Sequence, residues 1–126
     1  GAAALARALR DVPRRRLVLC LGVLRDKDAA GVLAPLLPLA DRVIAVTPRS
    51  QRALPAEALA ALAAGAAAAP DLAHALARAR AGLEEDDLCV IAGSIFLIGE
   101  ARELILGEPA DPVSVDDPLG VAAAGG

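Results

Sequence analysis

The run Leu17-Val18-Leu19-Cys20-Leu21-Gly22-Val23 constrains the fold of this chain more than any other feature. It is apolar without alternation and bounded by charge, which is what a strand covered on both faces requires. Arg42-Val43-Ile44-Ala45-Val46-Thr47 and Leu88-Cys89-Val90-Ile91-Ala92 read the same way. Ala66 to Ala69 is a further strand candidate, mainly from its place in the alternation. The intervening segments are helix formers. Residues 2–11 carry Leu5 and Leu9 at i, i+4, and Pro13 with Arg14-Arg15-Arg16 ends that helix. A second helix is expected from about Asp28 to Leu37, kinked or shortened by Pro35. Pro55 opens a third, to about Ala64, with Leu59 and Leu62 inward. Pro70-Asp71 caps a fourth to about Ala81, with Leu72 and Leu76 inward. Gly93-Ser94 leads into a fifth, to about Leu106. The order α-β-α-β-α-β-α-β-α predicts an α/β domain whose mainly parallel sheet is covered by helices through right-handed crossovers.

Composition narrows the function classes. The 126 residues fit one domain with a real core. With 13 basic residues against 16 acidic and a single aromatic, the chain lacks the basic patches and stacking faces of a nucleic-acid binder. No apolar run approaches the length of a membrane span and no signal peptide is apparent, so a cytoplasmic domain is expected. Cys20 and Cys89 lie in apolar runs and read as small buried hydrophobes in a reducing compartment. One histidine and no close cysteine pair leave no metal constellation. No methionine is present, even at position 1, so the numbering is expected to begin inside a longer or processed gene product. Residues 107–126 read as an unstructured tail.

Ligands in open α/β sheets collect outside the carboxyl ends of the strands. Three segments fall there: Arg25-Asp26-Lys27-Asp28, Thr47-Pro48-Arg49-Ser50-Gln51-Arg52, and Gly93-Ser94. Every basic residue except Lys27 is arginine. A lysine offers a compact point charge where arginine offers a planar fork, so this exception can mark an anion contact. The plainer reading is a solvated turn with Asp28 capping the next helix. Gly93 lets the backbone approach a ligand, and Ser94 and the following helix N–H groups suit an anion. The plainer reading of Ser94 is an ordinary N-cap. Arg49 and Arg52 can clamp a carboxylate or simply be solvated. His74 reads as a surface residue, and Arg14-Arg15-Arg16 as a solvated approach to the first strand. The chain contains no P-loop, no dinucleotide fingerprint and no catalytic triad.

These segments together resemble a known family. Leu21-Gly22-Val23-Leu24-Arg25-Asp26-Lys27-Asp28, Leu33-Ala34-Pro35-Leu36-Leu37-Pro38-Leu39-Ala40-Asp41-Arg42-Val43-Ile44, Pro48 to Glu57 and Ala92-Gly93-Ser94-Ile95-Phe96 to Arg102 are similar, in order, to the carboxy-terminal domain of bacterial folylpolyglutamate synthase/dihydrofolate synthase. That family belongs to the Mur ligase superfamily. The resemblance implies a Rossmann-like three-layer domain over residues 1–106. It also implies a longer chain whose upstream P-loop domain binds ATP and Mg2+. The implied reaction phosphorylates a folate or dihydropteroate carboxylate to an acyl phosphate, which the amine of L-glutamate attacks. Carried over by position, Asp26, Lys27, Asp28, Gly93 and Ser94 match the family's substrate-binding segments, with Arg52 a weaker match. The family's histidine-containing Asp-Gly-Ala-His-Asn-Pro segment and its P-loop would lie upstream, so no ligase activity is expected from these residues alone. The carboxy-terminal domain of a cell-wall Mur ligase and a free-standing α/β binding module are the rival readings.

Overall fold

The strands alternate their side chains between two helical layers, which is why their sequences show no polar face. In β1 (Leu17–Gly22), Leu17, Leu19 and Leu21 join one core cluster, while Val18 and Cys20 join another. The same division continues in β2 (Arg42–Val46) and β4 (Leu88–Gly93). Helices α1 (Ala2–Arg10), α2 (Ala29–Leu36) and α3 (Ala56–Ala60) cover the first face through Leu5, Leu9, Leu33, Leu36 and Leu59. Helices α4 (Leu72–Arg80) and α5 (Ile95–Leu106) cover the second through Leu72, Leu76, Leu97 and Ile98. Each fully buried leucine contributes roughly 1.5–3 kcal/mol, so the sheet is held from both sides. The result is the expected three-layer, Rossmann-like α/β fold. The computed structural model describes residues 1–106, and the tail expected over 107–126 lies outside them.

All four strands, including the short β3 (Ala67–Ala69), are parallel, in the order β3-β2-β1-β4. The chain steps outward from β1 to β3 over the α2 and α3 face. It then crosses back under α4 to place β4 on the other side of β1. The winding direction reverses between β1 and β4, the switch point at whose carboxyl end open α/β sheets bind ligands. Gly22 and Gly93 close that ladder opposite one another.

Several local expectations are corrected. The helix expected from Pro55 to about Ala64 stops after Ala60, so Leu62 leaves the buried stripe and is 51% exposed. The segment from Asp28 to Leu37 forms α2 and then a 3-10 turn (Leu37–Leu39), as befits Pro35, which lacks the N–H a longer helix needs. Arg14-Arg15-Arg16 is anchored rather than merely solvated. Arg15 grips Asp87 with both nitrogens (2.9 and 3.0 Å), and Arg16 reaches the same carboxylate at 3.1 Å. Arg14 donates to the Leu9 and Val12 carbonyls at the end of α1. The Asp87 side chain is fully buried and also accepts the Glu84 N–H. The Arg15 hydrogen bond, followed by that N–H, holds its carboxyl far below the usual range. A depressed value stabilises the fold above the unfolded-chain value near 4 and is lost only as acid protonates the native state. Asp87→Asn is therefore expected to lower the thermal midpoint by several degrees at pH 7. The difference should narrow in strong acid, as thermal melts across a pH series would show.

No described helix is long and apolar enough to cross a membrane. Cys20 and Cys89 are buried and free of disulfides, and contact with Cys89 together with burial keeps the Cys20 thiol protonated.

Candidate functional site

The β1–β4 switch point is built on two glycines. Gly93 has φ +115°, and a Cβ there would collide with the Gly22 carbonyl. A Cβ on Gly22 would in turn lie 2.9 Å from the Val46 carbonyl oxygen and 3.2 Å from both Leu97 and Pro48. Only side-chain-free backbone lets the two strands end together here. Ser94 then donates its N–H to the Gly22 carbonyl at 2.8 Å and turns the chain into α5.

Ser94 is the N-cap of that helix. Its Oγ accepts from the Phe96 and Leu97 N–H groups at 3.1 and 3.3 Å. The plainer sequence reading is thus realised. Two of the free helix N–H groups considered for an anion are occupied by the Ser94 hydroxyl. A hydroxyl that accepts twice still has one proton to donate, and Ser94 is only half-buried, so a ligand can receive it.

Beyond Gly22, the loop after β1 is fastened to the loop after β2. Leu24 and Ala53 form an antiparallel bridge, the Leu54 N–H reaches the Val23 carbonyl, and the Arg25 N–H reaches the Arg52 carbonyl at 2.8 Å. Arg25 Nε adds a bond to the Ala53 carbonyl at 3.0 Å. Asp26 pairs with Arg52 at 3.4 Å, with both side chains well exposed. Asp28 caps α2, accepting the Gly31 N–H at 3.0 Å. Both aspartates therefore have structural partners. Lys27 is exposed, and among the described residues no hydrogen bond or ion pair engages its ammonium. The loop segment 25–28 with Arg52 holds three cations and two carboxylates. With Asp26 paired to Arg52 and Asp28 capping α2, the cations of this segment without a carboxylate partner among the described residues are Arg25, whose Nε donates to the Ala53 carbonyl, and Lys27, whose ammonium has no bond of its own.

The structure thus brings Asp26 to Arg52 and Gly93 to Gly22. Among the described residues no hydrogen bond or ion pair links the Lys27 loop to Ser94, and the two lie on separate loops. His74 is exposed, as expected, but its ring nitrogen contacts Asp71 Oδ1 at 2.7 Å beside the α4 cap. Arg49 is paired rather than free, with Glu100. Glu100 was missed in the sequence. Its helical offset from Leu97 and Ala101 places it near the buried stripe, a signal that periodicity carries. Thr47 was also missed: its Oγ1 accepts the Ala56 N–H at 2.9 Å and caps α3. Among the described residues no three His, Cys, Asp or Glu side chains converge as metal ligands would.

Comparison with known proteins points one way. Residues 1–95 match the family model described as Mur ligase, glutamate ligase domain. A dihydrofolate synthase/folylpolyglutamate synthase from Mycobacterium tuberculosis is 37% identical over 130 aligned positions, covering 86% of this chain and 26% of the relative. The crystal structure of E. coli FolC with ADP superposes with a TM-score of 0.79 at 26% identity, covering 84% of this chain and 26% of that one. A bifunctional folylpolyglutamate synthase/dihydrofolate synthase with Mn, AMPPNP and L-glutamate bound superposes with a TM-score of 0.76 at 25% identity, covering 83% of this chain and 26% of that one. The chain thus spans about a quarter of the length of these relatives.

Proposed function

This chain belongs to the glutamate ligase domain family of the Mur ligases, and from that premise we propose that it is the glutamate-positioning, carboxy-terminal domain of an ATP-dependent folate ligase. In the reaction assigned to the whole protein, the folate or dihydropteroate carboxylate takes the terminal phosphoryl group of ATP and ADP leaves. The amine of L-glutamate attacks the resulting acyl phosphate, inorganic phosphate departs, and the nitrogen loses a proton as the amide forms. ATP and its Mg2+ would be held mainly by a P-loop domain elsewhere in the protein, since these residues contain no phosphate-cradling loop. The same reading places the protein in the cytoplasm, in keeping with two buried free thiols.

Within that reaction, the residues of this chain bind and orient. Glutamate brings two carboxylates, and Lys27 supplies an uncommitted cation for one of them. The Ser94 hydroxyl donates a hydrogen bond from the opposite loop. Asp26 with Arg52, and Asp28 at the head of α2, hold the Lys27 turn in shape. Gly22 and Gly93 let the ends of β1 and β4 close on one another beneath Ser94. Holding an amine at attack distance can lower a barrier by several kcal/mol without any bond-making by these groups. The observation that carries the reading is the match of residues 1–95 to the glutamate ligase domain family, on a parallel sheet whose winding reverses between β1 and β4.

The complete gene product is expected to add L-glutamate to dihydropteroate or folate, releasing one ADP and one phosphate per amide formed. Residues 1–126 alone are expected to show no such activity. Coupled ADP-release and product-mass assays decide the matter. Turnover by residues 1–126 alone contradicts the account, and so does a complete protein that uses a different amino acid in place of glutamate.

A further inference from the structure

We infer that Glu100 is a positioning residue: from within α5 it holds, through Arg49, the pair of loops that carry Lys27. The inference rests on the reading of Lys27 as a glutamate contact.

Glu100 is a charged side chain with almost no solvent exposure, 4%. Its Oε2 accepts the Arg49 N–H at 3.0 Å, and its Oε1 lies 3.4 Å from Arg49 Nε. One carboxylate therefore grips both the backbone and the side chain at the start of the loop after β2. That loop continues into the contacts already described: Arg52 and Ala53 hold Arg25, Leu54 holds Val23, and Arg52 holds Asp26. The Lys27 N–H closes the turn on the Leu24 carbonyl at 3.1 Å. The path from inside α5 to the Lys27 turn thus runs through the Glu100 bonds to Arg49, one peptide link to Ser50, the Ser50 bonds to the Arg52 and Ala53 N–H groups, and the bonds to Arg25. It is anchored beside Leu97, which packs over Gly22.

The cost of this arrangement separates a positioning role from a merely structural one. Burial pushes Glu100 above the ordinary carboxylate range, even though Arg49 opposes that shift. The groups facing it are Arg49, Asp71 at the head of α4 and Glu103 on α5, and the two acids raise it further. The native state then binds the Glu100 proton more tightly than the unfolded chain does. Its ionised form lowers stability as pH rises through the raised value. A glutamine of the same shape would still accept the Arg49 N–H without that cost. It would lose the ionic grip on the guanidinium.

The test uses the complete gene product with Glu100→Gln, Glu100→Ala and the surface variant Arg49→Ala. Glu100→Gln is expected to keep or raise the thermal midpoint at pH 7 while raising the L-glutamate KM about tenfold, with kcat nearly unchanged. Arg49→Ala, whose side chain is 66% exposed, should leave no cavity but should lower the thermal midpoint at pH 7 by leaving the buried Glu100 carboxylate without its cation, and raise KM to a similar extent. Amide hydrogen exchange at Arg25 and Leu54 should accelerate in Glu100→Ala, reporting the loops directly and without any ligand. Unchanged exchange at these two amides overturns the positioning role. So does an unchanged glutamate KM in Glu100→Gln and Arg49→Ala where Lys27→Ala raises it. An unchanged KM in Lys27→Ala itself overturns the glutamate reading on which the inference stands, and the exchange data then show whether the loop coupling survives.

Discussion

Replacing Gly93 by alanine is expected to destabilise the domain by at least about 3 kcal/mol, which places it among the most damaging single substitutions. Two effects add. The positive φ of +115° is strained for any residue with a Cβ, by roughly 1–3 kcal/mol. The new methyl group would also meet the Gly22 carbonyl, which is backbone and cannot rotate away. Relief requires the β1–β4 ladder to part at its carboxyl end, where the Ser94 N–H bonds Gly22. At φ +115° the backbone lies outside the left-handed region that asparagine tolerates, so Gly93→Asn, with the same Cβ, should fail by a similar amount. Urea unfolding measures this, and a loss below about 0.5 kcal/mol for Gly93→Ala, the scale of a neutral surface change, would show that the ends of β1 and β4 do not meet through these glycines.

Ser94 and Lys27 carry the largest expected effects on function, and they should differ in character. Ser94→Ala removes two accepted N–H bonds at the head of α5 as well as the donor offered to a ligand. It should cost about 1 kcal/mol of stability as a lost cap, and raise the glutamate KM besides. Ser94→Thr keeps the hydroxyl, so it should restore most of both. Among the described residues no partner engages the Lys27 ammonium, so Lys27→Ala should leave stability nearly unchanged and act on glutamate alone. Lys27→Arg tests shape against charge, because a planar fork replaces a compact ammonium. Thermal melts alongside glutamate saturation curves distinguish a cap that also binds from a cation that only binds.

Much of this architecture was legible in the residues because doubly covered strands permit no polar positions. Leu17 to Gly22 and Leu88 to Gly93 announce themselves by that continuity, and Asp28 and Asp71 announce their helices by capping. Gly93 and Ser94 were visible as a strand-to-helix junction, although the sequence could not say that Gly93 faces Gly22. The remainder depends on contacts between distant residues, which no local pattern encodes. Arg15 and Asp87 are 72 positions apart, and Arg49 and Glu100 are 51 apart. Local charge density made Arg14-Arg15-Arg16 look like a solvated segment, whereas a buried carboxylate on the neighbouring turn organises it. Leu62 misled for a similar reason: its spacing from Leu59 suits a helix, but α3 ends after five residues. At the site, sequence marked Lys27 as unusual and the structure adds that it is uncommitted. Asp26 and Asp28, equal to it in the sequence, prove to be occupied in holding the turn.

The central claim is that this domain holds the incoming glutamate through Lys27. Its most direct test is the L-glutamate KM of Lys27→Ala in the complete gene product, measured at saturating ATP and pteroate or folate substrate. The account predicts a rise of roughly tenfold or more in glutamate KM, with the ATP KM and the thermal midpoint unchanged. A glutamate KM equal to that of the parent protein would contradict it.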